Sequence, residues 1–313
     1  MTGVNKKRPS GALSAPNSLI VVPLRHPMRL IAMLVVMLLL ITLVYTVMGN
    51  PELQWPIVAR YMFSPLILDG LYTTLLLTLI VMVLAVSIGT IAALMMLSRS
   101  SILSVPAVAF VWLFRGAPAL VQLILWYNVS LIFPRVSLWL PFAGTVYSVR
   151  TNDLMTPFMA AVVALSLHEA GYMAEIVRAG LRTVSKGQTE AALSLGMHPR
   201  LLVRRIVLPQ AMRMIIPPTG NEAINLLKTT SLVSIIAVGD ILYSAQAVYA
   251  RTFETIPLLL VVAIWYLIVV SVMSGGQFYL ERSVARDETA SQRGLFPRTL
   301  RNLLSSRRKV SPA

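Results

Sequence analysis

Apolar residues in this chain gather in long runs instead of alternating with polar ones. The runs from Leu30 to Met48 and from Leu71 to Leu97 are each long enough for the roughly 20 helical residues that cross a bilayer. Hydropathy predicts six such spans, at about Arg29 to Met48, Gly70 to Leu97, Val105 to Phe133, Pro157 to Val177, Gly220 to Tyr243 and Ile256 to Leu280. The first holds only two threonines and a tyrosine among aliphatic side chains, which suits contact with lipid. Its apolar run is too long for a signal peptide, and Gly49, Asn50 and Pro51 form no small-x-small cleavage site, so a retained anchor is expected. The fold class implied is an all-α integral membrane protein with one N-terminal anchor and a five-helix core.

The flanking segments complete this organisation. Residues 1–28 carry Pro, Ser, Gly and Lys without apolar periodicity, and residues 283–313 form an Arg-rich tail. Both read as disordered or surface-attached ends. Residues 29–69 would be the anchor and an external loop, and residues 70–282 the transmembrane core. The external loop from Pro134 to Thr156 contains Trp139, Pro141, Phe142 and Tyr147, aromatic and rigid residues that suit a membrane interface or, as an alternative, a docking surface.

The composition agrees, with 57% hydrophobic residues against the roughly 45–50% of soluble chains. A formal charge of +15 raises the question of nucleic acid, but the positions of the cations answer it. Five precede the first span (Lys6, Lys7, Arg8, Arg25, Arg29), seven lie from Arg178 to Arg213, and eight run from Arg282 to Lys309. The alternate loops hold only Arg60, Arg135, Arg150 and Arg251. By the positive-inside rule both termini and the 178–213 region are cytoplasmic, so the basicity reports topology and no nucleic acid partner is expected. Cysteine is absent, which excludes disulfides, thiolate metal sites and a cysteine nucleophile. With three histidines and dispersed carboxylates, no catalytic cluster or metal site is expected.

The long cytoplasmic loop carries the sharpest local signals. Ser185 to Gln188 has the S-x-x-Q form of a capping box, opening a helix from Lys186. Gly196 suits a left-handed C-terminal cap. Pro199 suits the first turn of a second helix, expected to stop near Leu208 because Pro209 follows. Glu190, Ala191 and Ala192, then Gly196, Ile206, Leu208 and Pro209 at these spacings, reproduce the EAA loop of ABC importer permeases. The resemblance runs from about Gly70 to Leu280 and is closest to polar amino acid permeases. It is carried by Tyr172, Met173, Ala174, Glu175, Ile176, Val177 and Arg178, by Gly187 and Gln188, by Leu208 to Ala211, and by Leu227 to Leu232. Arg115, Gly116, Ala117 and Pro118 resemble that family's Arg-Gly-Thr-Pro stretch, with Ala117 a departure. Thr229 and Asp240 are further departures.

The resemblance implies a type I permease in a bacterial inner membrane, coupled through residues 183–212 to a separate ATP-binding cassette ATPase dimer. It also implies a second permease subunit, the same or homologous, and an external solute-binding protein that delivers a polar amino acid. No G-x-x-x-x-G-K-[ST] segment is present, so ATP and Mg are expected on the partner ATPase and no cofactor on this chain. The rival reading is an ion-coupled secondary transporter of small polar solutes, which often shows internal repeats; none is convincing here.

Polar residues inside the spans are costly unless they face a cavity or a partner. Glu222, Asn225 and Thr229 share one helical face, with Lys228, Thr230 and Ser231 beside it. This stripe either lines a substrate pathway, or packs two subunits together, or places Lys228 and Glu222 at helix ends where they snorkel to the interface. His168 and Glu169 lie about nine residues before Arg178, roughly 14 Å from the cytoplasmic edge. His168 reads first as a hydrogen-bonded packing residue. Glu169 either attracts a cationic group of the substrate or serves packing alone, protonated or paired with His168 or Lys228. Glu175 is explained by Arg178, three residues on.

Overall fold

Long apolar stretches without helix breakers give long helices, and the breakers that do occur decide where the fold departs from simple rods. The structure, a computed structural model, describes residues 27–141 and 144–284. The expectations for the two basic ends and for Phe142 fall outside these residues. The first helix, α1 (Pro27–Gly49), is unbroken, and its described side chains are exposed throughout, as a lipid-facing anchor requires. With the residues up to Leu53 it forms a unit of its own.

The second unit begins with α2 (Trp55–Met62) and continues through α3 (Pro65–Met96), α4 (Ser101–Gly116) and α5 (Ala119–Tyr127). A hairpin of β1 (Arg135–Leu140) and β2 (Gly144–Arg150) leads into α6 (Thr151–Leu154) and α7 (Pro157–Arg182). Two short helices, α8 (Lys186–Ser194) and α9 (Pro199–Leu202), precede α10 (Leu208–Thr229), α11 (Ile241–Thr252) and α12 (Thr255–Val284). Among the described residues four helices, α1, α3, α7 and α12, are long and apolar enough to cross a bilayer. Counting each of two bent pairs as one span raises the number to six.

Both bends fall where continuous helices were expected. The stretch expected to run unbroken from Val105 to Phe133 turns by 102° between α4 and α5. The cause is Pro118, whose ring keeps the preceding residue out of helical geometry; Ala117 is extended at φ −95, ψ 140. The second bend, 44°, separates the segment ending at Ile236 from α11. There α10 tightens into a 3-10 turn over Thr230–Ile236, and Ala237 takes the left-handed conformation at φ 60. Asp240 then caps α11, its carboxylate accepting from the backbone amides of Leu242 (3.3 Å) and Tyr243 (2.9 Å).

The external loop also differs from an unstructured anchor. Arg135 pairs with Arg150 and Val136 with Val149 in an antiparallel register, the one small sheet among the described residues. Its base is fixed by the Thr151 hydroxyl, which donates to the Phe133 carbonyl oxygen.

The centre of the unit is α7, which lies against α3, α4, α5 and α10. Small side chains make this possible. Ala85, Ala92 and Ala93 of α3 meet Ala170, Met173, Ala174 and Val177 of α7, so the two backbones approach closely. A second apolar cluster joins α2, the start of α3, α11 and α12, with Val58, Ile67, Ile241 and Leu258 buried. The Trp265 indole N–H donates to the Met62 carbonyl at 2.8 Å and locks α2 onto α12.

Candidate functional site

Two places hold the candidate residues. The first lies in the upper part of α7. Thr156 caps this helix by accepting from the Met159 amide at 3.3 Å, and Pro157 occupies its first turn, where no backbone donor is needed. The helix then carries Ser166 and Glu169 into the core. Glu169 is only 5% exposed, and its Oε1 has no hydrogen-bond partner. Glu222 of α10, itself half-buried, lies beside it. Two carboxyl groups at one place inside a span are costly unless a cation or a proton offsets their charge.

His168 is held elsewhere. Its Nδ1 lies 3.1 Å from the amide nitrogen of Gln122, and its ring is 5.3 Å from that of Tyr172. Gln122 is a residue that sequence reasoning passed over. Its amide donates to the carbonyls of Phe114 (2.8 Å) and Ala117 (2.9 Å), closing the break between α4 and α5 and tying it to α7. The available signal was its isolation, because it is the one polar side chain in the apolar run from Ala119 to Trp126.

The polar stripe on α10 proves to be divided. Glu222 turns towards α7, whereas Asn225 and Lys228 line a groove of about 460 Å³ together with Asn221 and, from α12, Ser274, Gln277 and Glu281. The hydroxyls of Thr229, Thr230 and Ser231 donate to backbone carbonyls three or four residues back, at 3.0, 2.7 and 2.8 Å. Thr230 is fully buried, whereas Thr229 and Ser231 are half-buried. Of the predicted residues, Glu169 and Glu222 are brought together and Asn225 with Lys228 are brought to a different surface.

The second place is the loop after α7. Helix α8 starts at Lys186, but the capping box does not form. Ser185 occupies the cap position without a side-chain bond, and Gln188 instead accepts from the Gln210 amide of α10 at 2.9 Å. The other end is as the sequence predicts. Gly196 has φ +77, its amide donates to Leu193 O at 2.9 Å, and the Met197 amide reaches Ala192 O at 3.1 Å, the paired bonds of a Schellman cap. Ala192 is buried, while Glu190 and Ala191 are exposed on the outward side.

The second short helix does not stop at Leu208. It passes from α9 through a π turn over Val203–Val207 straight into α10. The reason is that the Leu208 amide reaches back five residues to Val203 O, which makes Pro209 the second residue of a new helical stretch, where a missing amide costs nothing. Ile206 and Leu208 therefore sit on the continuous path between the loop and α10, with Ile206 half-buried and Leu208 and Pro209 exposed.

With this geometry in place, comparison with known proteins is informative. The family profile for the binding-protein-dependent transport system inner membrane component matches residues 85–286. The arginine transport system permease protein ArgU of Corynebacterium glutamicum is 39% identical over 282 residues, covering 90% of this chain and 88% of ArgU. The nopaline transport system permease protein NocM of Agrobacterium fabrum is 35% identical over 214 residues, 67% of this chain and 84% of NocM. Among solved structures, the crystal structure of an amino acid ABC transporter with histidines is 33% identical, with a TM-score of 0.60, and covers 72% of this chain and 97% of its own. This chain therefore belongs to the inner membrane components of binding-protein-dependent transport systems and is a multi-pass permease of the amino acid ABC transporter family.

Proposed function

We propose that this permease subunit imports polar amino acids with basic side chains by alternating access, driven by a separate ATP-binding cassette ATPase dimer. It pairs with a second permease subunit, the same or homologous, and receives its substrate from an external solute-binding protein. ATP and Mg reside on the ATPase. The segment 183–212 is the coupling element, with Glu190 and Ala191 on the exposed side of α8 seated against the ATPase, Ala192 packed beneath them and Gly196 fixing the angle at which α8 meets α9.

The observation that carries the choice of substrate is the buried carboxyl of Glu169, whose Oε1 has no hydrogen-bond partner, with Glu222 of α10 beside it. Between them a guanidinium or ammonium group is attracted and an acidic side chain is repelled. The similarity to ArgU supports the same reading. Coupling is supported by the rigid Schellman cap at Gly196 and by the unbroken run of helix from Pro199 into α10, which carries Glu222. A push on α8 is thereby transmitted to the carboxyl pair as a movement of one helix, a shift between two populated states.

Reconstitution tests this function. In proteoliposomes holding this chain with its cognate ATPase and solute-binding protein, uptake of arginine or lysine is expected with ATP and to be absent with a non-hydrolysable analogue. ATP-independent uptake that follows an imposed ion gradient would identify a secondary transporter instead.

Orientation gives an independent check. A reporter inserted near Gly144, at the tip of the hairpin, is expected outside, and one fused after Ala285 is expected in the cytoplasm. A cytoplasmic hairpin would invert the proposed direction of every span.

A further inference from the structure

We propose that the groove beside Arg115 binds the phosphate of an anionic phospholipid from the leaflet on the α8 side of the membrane; that leaflet is cytoplasmic in the orientation proposed above. Arg115 ends α4 and lies over the Tyr172 ring of α7 at 5.1 Å, with one nitrogen 3.7 Å from Glu175 Oε1. Among the described residues its side chain makes no hydrogen bond. Glu175 is already engaged: both Nε (2.8 Å) and Nη2 of Arg178 donate to its Oε2. Two guanidinium groups thus share one carboxylate, and the side chain of Arg115 remains 41% exposed with its donors unused.

With one carboxylate shared between two guanidinium groups the cluster keeps a net positive charge, and the free donors of Arg115 suit an anionic acceptor. The surroundings describe the acceptor. Arg115 and its partner Glu175 line a groove of about 420 Å³ with Met96, Val108, Val111 and Trp112, and Trp112 is 75% exposed. Apolar walls that could hold an acyl chain, an exposed indole of the kind found at bilayer interfaces, and a planar cation suited to phosphate coincide in one groove. Its depth fits as well. Met96 is the last residue of α3, and Glu175 is three residues, about 5 Å along the helix, before the cytoplasmic edge read at Arg178. Gly171 shows that the arginine is seated there by design of the backbone: a Cβ on Gly171 would stand 2.9 Å from Arg115 Cγ.

Native mass spectrometry of the purified full-length chain tests this, with phosphatidylglycerol and phosphatidylcholine as the probes. The unaltered protein is expected to retain phosphatidylglycerol in preference. Arg115→Gln should weaken that retention about fivefold, the equivalent of about 1 kcal/mol, without changing phosphatidylcholine. Arg115→Lys keeps the charge and should retain most of it, and Arg251→Gln, which removes a charge at the opposite end of the fold, should change nothing. No preference in the unaltered protein, or equal retention by Arg115→Gln, overturns the proposal. Displacement of phosphatidylglycerol by millimolar inorganic phosphate would show a free-anion site and overturn the lipid assignment. Because the chain has no native cysteine, Trp112→Cys reports directly on a protein partner. A disulfide between two copies at that position would make the groove a subunit interface and overturn the proposal as well.

Discussion

Replacing Glu169 by Gln should cut uptake of arginine and lysine roughly ten- to hundredfold while leaving neutral amino acids much less affected. The estimate follows from the loss of one charge-assisted hydrogen bond, about 1.5–3 kcal/mol, at about 1.4 kcal/mol per decade. Gln keeps the shape of the side chain, which is 5% exposed and tightly enclosed, so a packing defect would not explain a change in substrate ranking. Glu222→Gln should act in the same direction. The double variant should cost less than the sum of the two if both carboxyls act on one substrate cation, as proposed. The measurement is uptake of acidic, neutral and basic amino acids into vesicles with purified partners. An unchanged ranking and rate in Glu169→Gln would remove the pair from the site and leave selection to the external binding protein.

The second large effect is expected at Gly196. Its φ of +77 lies where a side chain costs about 1–2 kcal/mol. A Cβ at this position would meet no atom within 4 Å, so the strain is confined to the backbone and the rest of the fold is spared. Gly196→Asp should therefore insert into the membrane normally yet lose about tenfold or more of its ATP-driven uptake, since both the angle of α8 and the charge presented to the ATPase change. Gly196→Asn, which tolerates the left-handed conformation and adds no charge, should keep most activity. Insertion, assembly with the ATPase and transport at the normal rate by the Asp variant would show that α8 is not the coupling lever.

How far these features could be read beforehand depended on the range of the interactions involved. Spans announce themselves because hydropathy is a local sum, and the left-handed Gly196 was visible because a helix end needs only its neighbours. The break at Ala117 and Pro118 was hidden by the apolar residues on both sides, which kept the window average high. Pro209 misled for a different reason. A proline ends an α-helix only when the helix must supply the missing bond, and the π turn before it removes that need. The partner of Glu169 was out of reach because Glu222 lies 53 positions along the chain, and only the packing of α10 on α7 brings them together. Similarly, Gln188 abandons its local cap for Gln210, a contact no spacing rule contains.

The π turn at Val203–Val207 has a rotational consequence. Each residue of an α-helix advances about 100° around the axis, and a π turn inserts one residue beyond that count. Everything above Leu208 is therefore set about 100° away from the azimuth that an uninterrupted helix from Pro199 would impose. The direction in which Glu222 points is dialled in some fifteen residues below it, at the foot of α10. Ironing out that single extra residue would turn the carboxyl away from α7 without altering one side chain in the membrane.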